Sequence, residues 1–86
     1  MLKLREHPQP RRHGYAAREV RRWALGQERT MGLDSRSFGF FIAVLLEGGK
    51  TNSPQVDTRK LHGYDELDAR HLTAKLEKAG LVEVAA

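Results

Sequence analysis

Gly63-Tyr-Asp-Glu-Leu-Asp-Ala-Arg-His-Leu-Thr-Ala-Lys-Leu-Glu-Lys-Ala-Gly-Leu-Val-Glu-Val84 reads as one capped amphipathic helix that stops at a glycine and runs directly into a strand. Asp65 is a suitable N-cap, and Asp68 falls in the first turn, where a carboxylate suits the helix dipole. Ala69, Leu72, Leu76 and Ala79 repeat at helical spacing and form one apolar stripe. Lys75 and Lys78 lie in the last turn, where cations are favoured. Gly80 stands where a left-handed residue would close the helix. Leu81-Val82-Glu83-Val84 then reads as a strand.

Three more helices are expected upstream. Ser53 followed by Pro54 is a helix-start signal, with serine as cap and proline in the first turn. It predicts a short helix over residues 54–61 that turns Val56 and Leu61 inward. His62-Gly63-Tyr64 then makes the turn into the helix 65–79. Asp34 or Ser35 can cap a helix over residues 36–47, with Gly48-Gly49 as its end. That helix is apolar nearly all round. Phe38, Phe41, Ile42 and Leu45 form one face, Phe40 and Val44 another, and Leu46 a third. Such a helix needs cover on more than one side, from a neighbouring helix or from a second subunit. Residues 15–25 supply a first helix, with Ala16, Val20, Trp23 and Ala24 on one face and Gly26 at its end. Residues 27–33 are a polar connector. Lys50-Thr51-Asn52 is a short link able to add a small strand.

Residues 1–14 hold Pro8, Pro10, His7, His13, Gly14 and four basic side chains, the composition of a basic N-terminal arm. Within it Leu2 and Leu4 alternate with Lys3 and Arg5, a faint strand signal. The organisation expected is therefore an arm, 1–14, and one domain, 15–86. The net charge of +4 is unevenly placed. Residues 1–22 carry Lys3, Arg5, Arg11, Arg12, Arg18, Arg21 and Arg22 against Glu6 and Glu19, which leaves the remainder at −1. This asymmetry suggests either a polyanion-binding arm or a solvated arm that only aids solubility.

Several classes lose support. There is no cysteine, so no disulfide and no thiolate metal site can form. His7, His13, His62 and His71 lack the spacing of a metal-ligand set. No nucleophile elbow, phosphate-binding glycine loop or paired-histidine helix motif occurs, so neither an enzyme nor a cofactor is expected. The longest apolar run, 38–46, is far short of the ~20 residues that span a bilayer, and the first residues lack a signal-peptide core. A cytoplasmic protein with no membrane association is expected.

The order helix, link, helix, turn, helix, strand over residues 35–85 resembles the winged helix-turn-helix of MarR-type bacterial regulators. The resemblance is carried by Phe41-Ile-Ala-Val-Leu-Leu-Glu-Gly-Gly as scaffold helix, by residues 53–61 as first helix of the motif, and by Leu76-Glu-Lys-Ala-Gly-Leu-Val at the end of the recognition helix. It implies a mostly α, winged-helix-like helix-turn-helix fold with an extra N-terminal helix and a minimal β-sheet. It also implies a DNA-binding transcriptional regulator. The helix 65–79 would enter the major groove of double-stranded DNA, with Leu67, Asp68, Arg70 and His71 toward the bases and Thr73 and Lys75 nearer the backbone. Arg59 and Lys60 would hold phosphates. Arg11 and Arg12 in the arm, and Arg18, Arg21 and Arg22 on the first helix, would add backbone contacts.

The chain departs from that pattern twice. Asp65, Glu66 and Asp68 crowd the end of the helix that meets DNA in the family. No return strand follows Leu81–Val84, which must pair with residues 50–52, with Leu2-Lys3-Leu4, or with another chain. A homodimer through the helices 15–25 and 36–47 is compatible with the apolar breadth of the second. The alternative function is a protein-protein interaction module, a small regulator or inhibitor built on the same fold. An accessory nucleic-acid-binding subunit of a larger assembly is a third.

Overall fold

The computed structural model describes residues 1–6, 17–51 and 53–84. Three helices, α1 (Ala17–Leu25), α2 (Ser35–Thr51) and α3 (Glu66–Lys78), pack with a small sheet of β1 (Leu2–Leu4), β2 (Gln55–Val56) and β3 (Val82–Val84). Short 3-10 turns at Glu28–Thr30 and Thr58–Lys60 lead out of α1 and β2. The molecule is mostly helical, as expected.

The sheet is antiparallel with strand order β2-β1-β3. Of the three partners open to the last strand, the chain uses Leu2-Lys3-Leu4. Leu4 pairs with Val82, Lys3 with Glu83 and Leu2 with Val84, while Leu2 and Lys3 also face Val56 and Gln55. Two further hydrogen bonds lengthen the ladder, from Leu4 N–H to the Pro54 carbonyl (2.8 Å) and from Arg5 N–H to the Leu81 carbonyl (3.2 Å). The alternation of Leu2 and Leu4 with Lys3 sends both leucines into the core and the lysine to solvent. The first residues are thus the central strand of the sheet and part of the domain. Residues 7–14 of the expected arm lie outside the described residues, as do Tyr15 and Ala16 of the expected first helix.

The helix expected over 54–61 does not form. β2 and a 3-10 turn stand in its place. Ser53 Oγ accepts from the Gln55 N–H at 3.1 Å, a turn two residues long instead of a helix cap. Val56, buried against β1, is worth more as a strand residue than in an eight-residue helix, which is too short to be stable by itself. Asp57 then caps the 3-10 turn by accepting from the Arg59 N–H. The described residues consequently form three α-helices and not four, and the short helix expected immediately before α3 is absent among them.

Gly48-Gly49 does not end α2, which continues to Thr51; Lys50 and Thr51 of the expected link therefore belong to the helix, and Asn52 lies outside the described residues. A side chain at Gly48 would place its Cβ 3.0 Å from the Ser53 carbonyl oxygen and 3.2 Å from Leu4 Cδ1. Glycine here lets α2 approach the returning chain and β1. By contrast, Gly80 has φ +78° and closes α3 as expected. Gly80 N–H donates to Glu77 and Leu81 N–H to Leu76, the paired bonds of a Schellman motif.

α2 is the hub. Phe40, Phe41, Val44 and Leu45 are fully buried, and none of its large apolar side chains is exposed. α1 (Val20, Ala24), α3 (Ala69, Leu72, Leu76) and the sheet (Leu2, Leu4, Val56, Val82) share its core. Cover for this broad helix comes from within the chain. Replacing Leu4 by Ala should lower stability by about 2–5 kcal/mol in urea unfolding, the usual cost of emptying a core leucine site, whereas Lys3→Ala should stay within about 0.5 kcal/mol.

Candidate nucleic-acid interface

Helix α3 begins at Asp65, whose carboxylate accepts from the Asp68 N–H at 2.7 Å. It is seated on the core by Ala69, Leu72, Thr73 and Leu76. The opposite side leaves Glu66, Leu67, Arg70, His71, Ala74, Lys75, Glu77 and Lys78 exposed. At 1.5 Å per residue, thirteen residues make a rod of about 20 Å. Its C-terminal end is closed by Arg29, which donates from Nη1 to the Gly80 carbonyl at 3.1 Å.

The expected contact residues divide into three groups. Arg70 and His71 stand together on the exposed side. Arg70 Nη2 lies 3.4 Å from Glu66 Oε1, an exposed pair one turn apart. Thr73 is a correction: it is buried on the core side and lines the floor of a groove, so it does not face outward toward a backbone. That groove, about 860 Å³, runs between α3 (Glu66, Arg70, Ala74) and the ends of β1 and β3 (Met1, Val84). Lys75 is exposed, but its Nζ reaches across to Asp34 Oδ2 at 2.9 Å.

Arg59 and Lys60 sit in the 3-10 turn after β2, both exposed. Arg59 is bound by Asp57 through Nε (3.0 Å) and Nη2 (2.9 Å). This fork raises the guanidinium pKa and, with the Arg59 N–H, holds the Asp57 carboxyl down at about 2. Arg18 and Arg22 are exposed on α1, and so is Arg21. Arg11 and Arg12 lie outside the described residues.

Two residues that tie α3 to the start of α2 were not foreseen in this role. Asp34 accepts from the Ser37 N–H at 2.7 Å, capping α2, and also meets Lys75. The capping bond, then Lys75, lowers its pKa to about 2. Arg36 Nη2 lies 2.7 Å from Asp68 Oδ2 and its guanidinium 5.9 Å from the Tyr64 ring centroid. The crowding of carboxylates at the start of α3 is thereby resolved: Asp65 is the cap, Asp68 meets Arg36, and Glu66 meets Arg70. The caps were readable locally. The pairs Asp34–Lys75 and Arg36–Asp68 join residues 41 and 32 apart and leave no mark in the sequence.

Asp34 makes stability depend on acid. Its folded pKa is below the usual carboxylate value, so its contribution is complete above about 4 and is lost as the pH falls through about 2. Urea unfolding from pH 5 to pH 2 should show wild type losing stability across this window and Asp34→Asn losing less.

No family model, curated protein or solved structure matches this chain.

Proposed function

We propose that this chain is a double-stranded-DNA-binding protein of winged-helix type, acting in transcriptional control, with α3 as the helix that enters the major groove. The observation that carries the reading is the exposure of one whole side of α3, with Arg70 and His71 side by side on it. A major groove admits a helix of this kind, and arginine offers two parallel donors to guanine O6 and N7. The Arg70–Glu66 pair does not prevent this. Exposed pairs one turn apart are worth only about 0.3–0.5 kcal/mol, so exchange onto a base is inexpensive.

The sheet supports the same reading. β2 lies between α2 and α3 in the chain, β3 follows α3, and β1 lies between the two strands. β1 thus occupies the place of a wing's return strand, although it comes from the other end of the sequence. The readout set is narrower than the sequence alone suggested: Arg70 and His71 toward the bases, Lys78 and Lys60 toward phosphates. Leu67, 62% exposed, would give an apolar contact of the kind made to a thymine methyl.

A second reading is favoured by the charge of α3 itself. Glu66, Asp68 and Glu77 balance Arg70, Lys75 and Lys78. A neutral helix face with an exposed leucine suits a protein partner. Titration of salt against binding to mixed-sequence duplex separates the two. DNA binding should weaken steeply with salt. Arg70→Ala should relax base preference at one position, by about 1–3 kcal/mol, while Thr73→Ala should leave preference unchanged. Salt-insensitive or absent duplex binding would decide for the protein partner.

A further inference from the structure

The described arginines fall into two sets. Arg5 meets Glu83, Arg29 the Gly80 carbonyl, Arg36 Asp68, Arg59 Asp57 and Arg70 Glu66. The guanidinium groups of Arg18, Arg21 and Arg22 make no hydrogen bond or ion pair with another described residue. All three lie on α1, whose inward face is taken by Val20 and Ala24. At 100° per residue, positions 18, 21 and 22 share one arc of about 100°, with Arg18 and Arg22 opposite the buried Val20 and Ala24 and Arg21 on the flank beside Ala24.

This arrangement opposes the stability of α1. Like charges one turn apart, as at Arg18 and Arg22, destabilise a helix by a few tenths of a kcal/mol. Nine residues are also too few for a helix to stand without packing. Elsewhere the fold satisfies each described guanidinium with an oxygen of its own. On α1 three forks face solvent, and the same stretch of sequence holds Arg11 and Arg12. Guanidinium, weakly hydrated and planar, is the cation best shaped for two-point contact with phosphate oxygens.

We infer that the outward face of α1, formed by Arg18, Arg21 and Arg22, is a second nucleic-acid contact that grips the phosphate backbone of duplex DNA without reading its sequence. It rests on the duplex-DNA reading proposed above and is separate from α3. Both helices pack on α2, and each turns its exposed side away from it. α3, with three carboxylates against three cations, has little net charge to attract a polyanion; α1 supplies that attraction. A lipid surface fits less well. A helix lying on a membrane directs its apolar face to the lipid, and the apolar face of α1 is spent on the core, with Leu25 the one exposed large apolar side chain of the helix.

The test is the triple variant Arg18→Gln, Arg21→Gln, Arg22→Gln in the full chain, with folding checked by circular dichroism and urea unfolding. The slope of log affinity against log salt for mixed-sequence duplex should become shallower by about 1 per arginine, or about 2–3 in all. A control with the same charge change elsewhere, Arg5→Gln, Arg36→Gln, Lys50→Gln, should keep the slope of wild type. Equal losses in both variants would mean that net charge alone is at work and would overturn the assignment. So would an unchanged slope in the α1 variant, or no duplex binding by wild type at low salt. Tighter binding to phosphatidylserine vesicles than to duplex, abolished in the α1 variant, would overturn it in favour of a membrane. Arg70→Ala with His71→Ala is measured in parallel. Lost α1 dependence with intact base preference would leave α3 standing alone; the reverse would leave α1 as a backbone grip without a reading helix.

Discussion

A strand of three residues holds the domain together. Leu2 and Leu4 are buried at the centre of the sheet, and their backbone bonds join β2 to β3. Without β1 the other two strands have no common neighbour, because neither pairs with the other. The chain returning to β2 and β1 together account for glycine at position 48 of α2: a Cβ there would lie 3.0 Å from the Ser53 carbonyl oxygen and 3.2 Å from Leu4 Cδ1. The close approach of α2 to β1 brings the start of the chain, its middle and its end into one core.

That core determines what α3 can present. Ala69, Leu72, Thr73 and Leu76 are committed to packing, and the Schellman closure at Gly80 sets the direction in which β3 leaves. Asp34–Lys75 and Arg36–Asp68 then fasten the helix to the start of α2. These exposed pairs add little to stability individually. They also engage one cation and one carboxylate of α3, Lys75 and Asp68. α3 is left with three acidic against three basic side chains, while the guanidinium groups of Arg18, Arg21 and Arg22 on α1 have no partner among the described residues.

Much of α3 was legible because its signals are local. An N-cap aspartate, an apolar stripe and a C-terminal glycine all act within a turn or two of the residues that they organise. Two other local signals were misleading for a common reason. Ser53-Pro54 and Gly48-Gly49 have more than one use. Serine before proline can cap a helix or make a two-residue turn; glycine can end a helix or admit a neighbour. The choice falls to what packs against each one: β1, whose Leu4 N–H donates to the Pro54 carbonyl, and at Gly48 the Ser53 carbonyl together with Leu4. Arg70 and His71 lie on the exposed side of α3, whereas Thr73, which the resemblance set nearer the DNA backbone, is buried on the core side.

The sequence by itself determined the helical identity of α1, α2 and α3, the strand after Gly80 and the basic character of the first 22 residues, because periodicity, caps and charge are properties of neighbours in the chain. Only the tertiary structure decided that Leu2–Leu4 is the central strand, that residues 55–56 form a strand in place of a helix, and which arginines keep an oxygen partner. Those outcomes turn on contacts between residues tens of positions apart, and no local pattern encodes which distant surface will arrive to bury a leucine or neutralise a guanidinium.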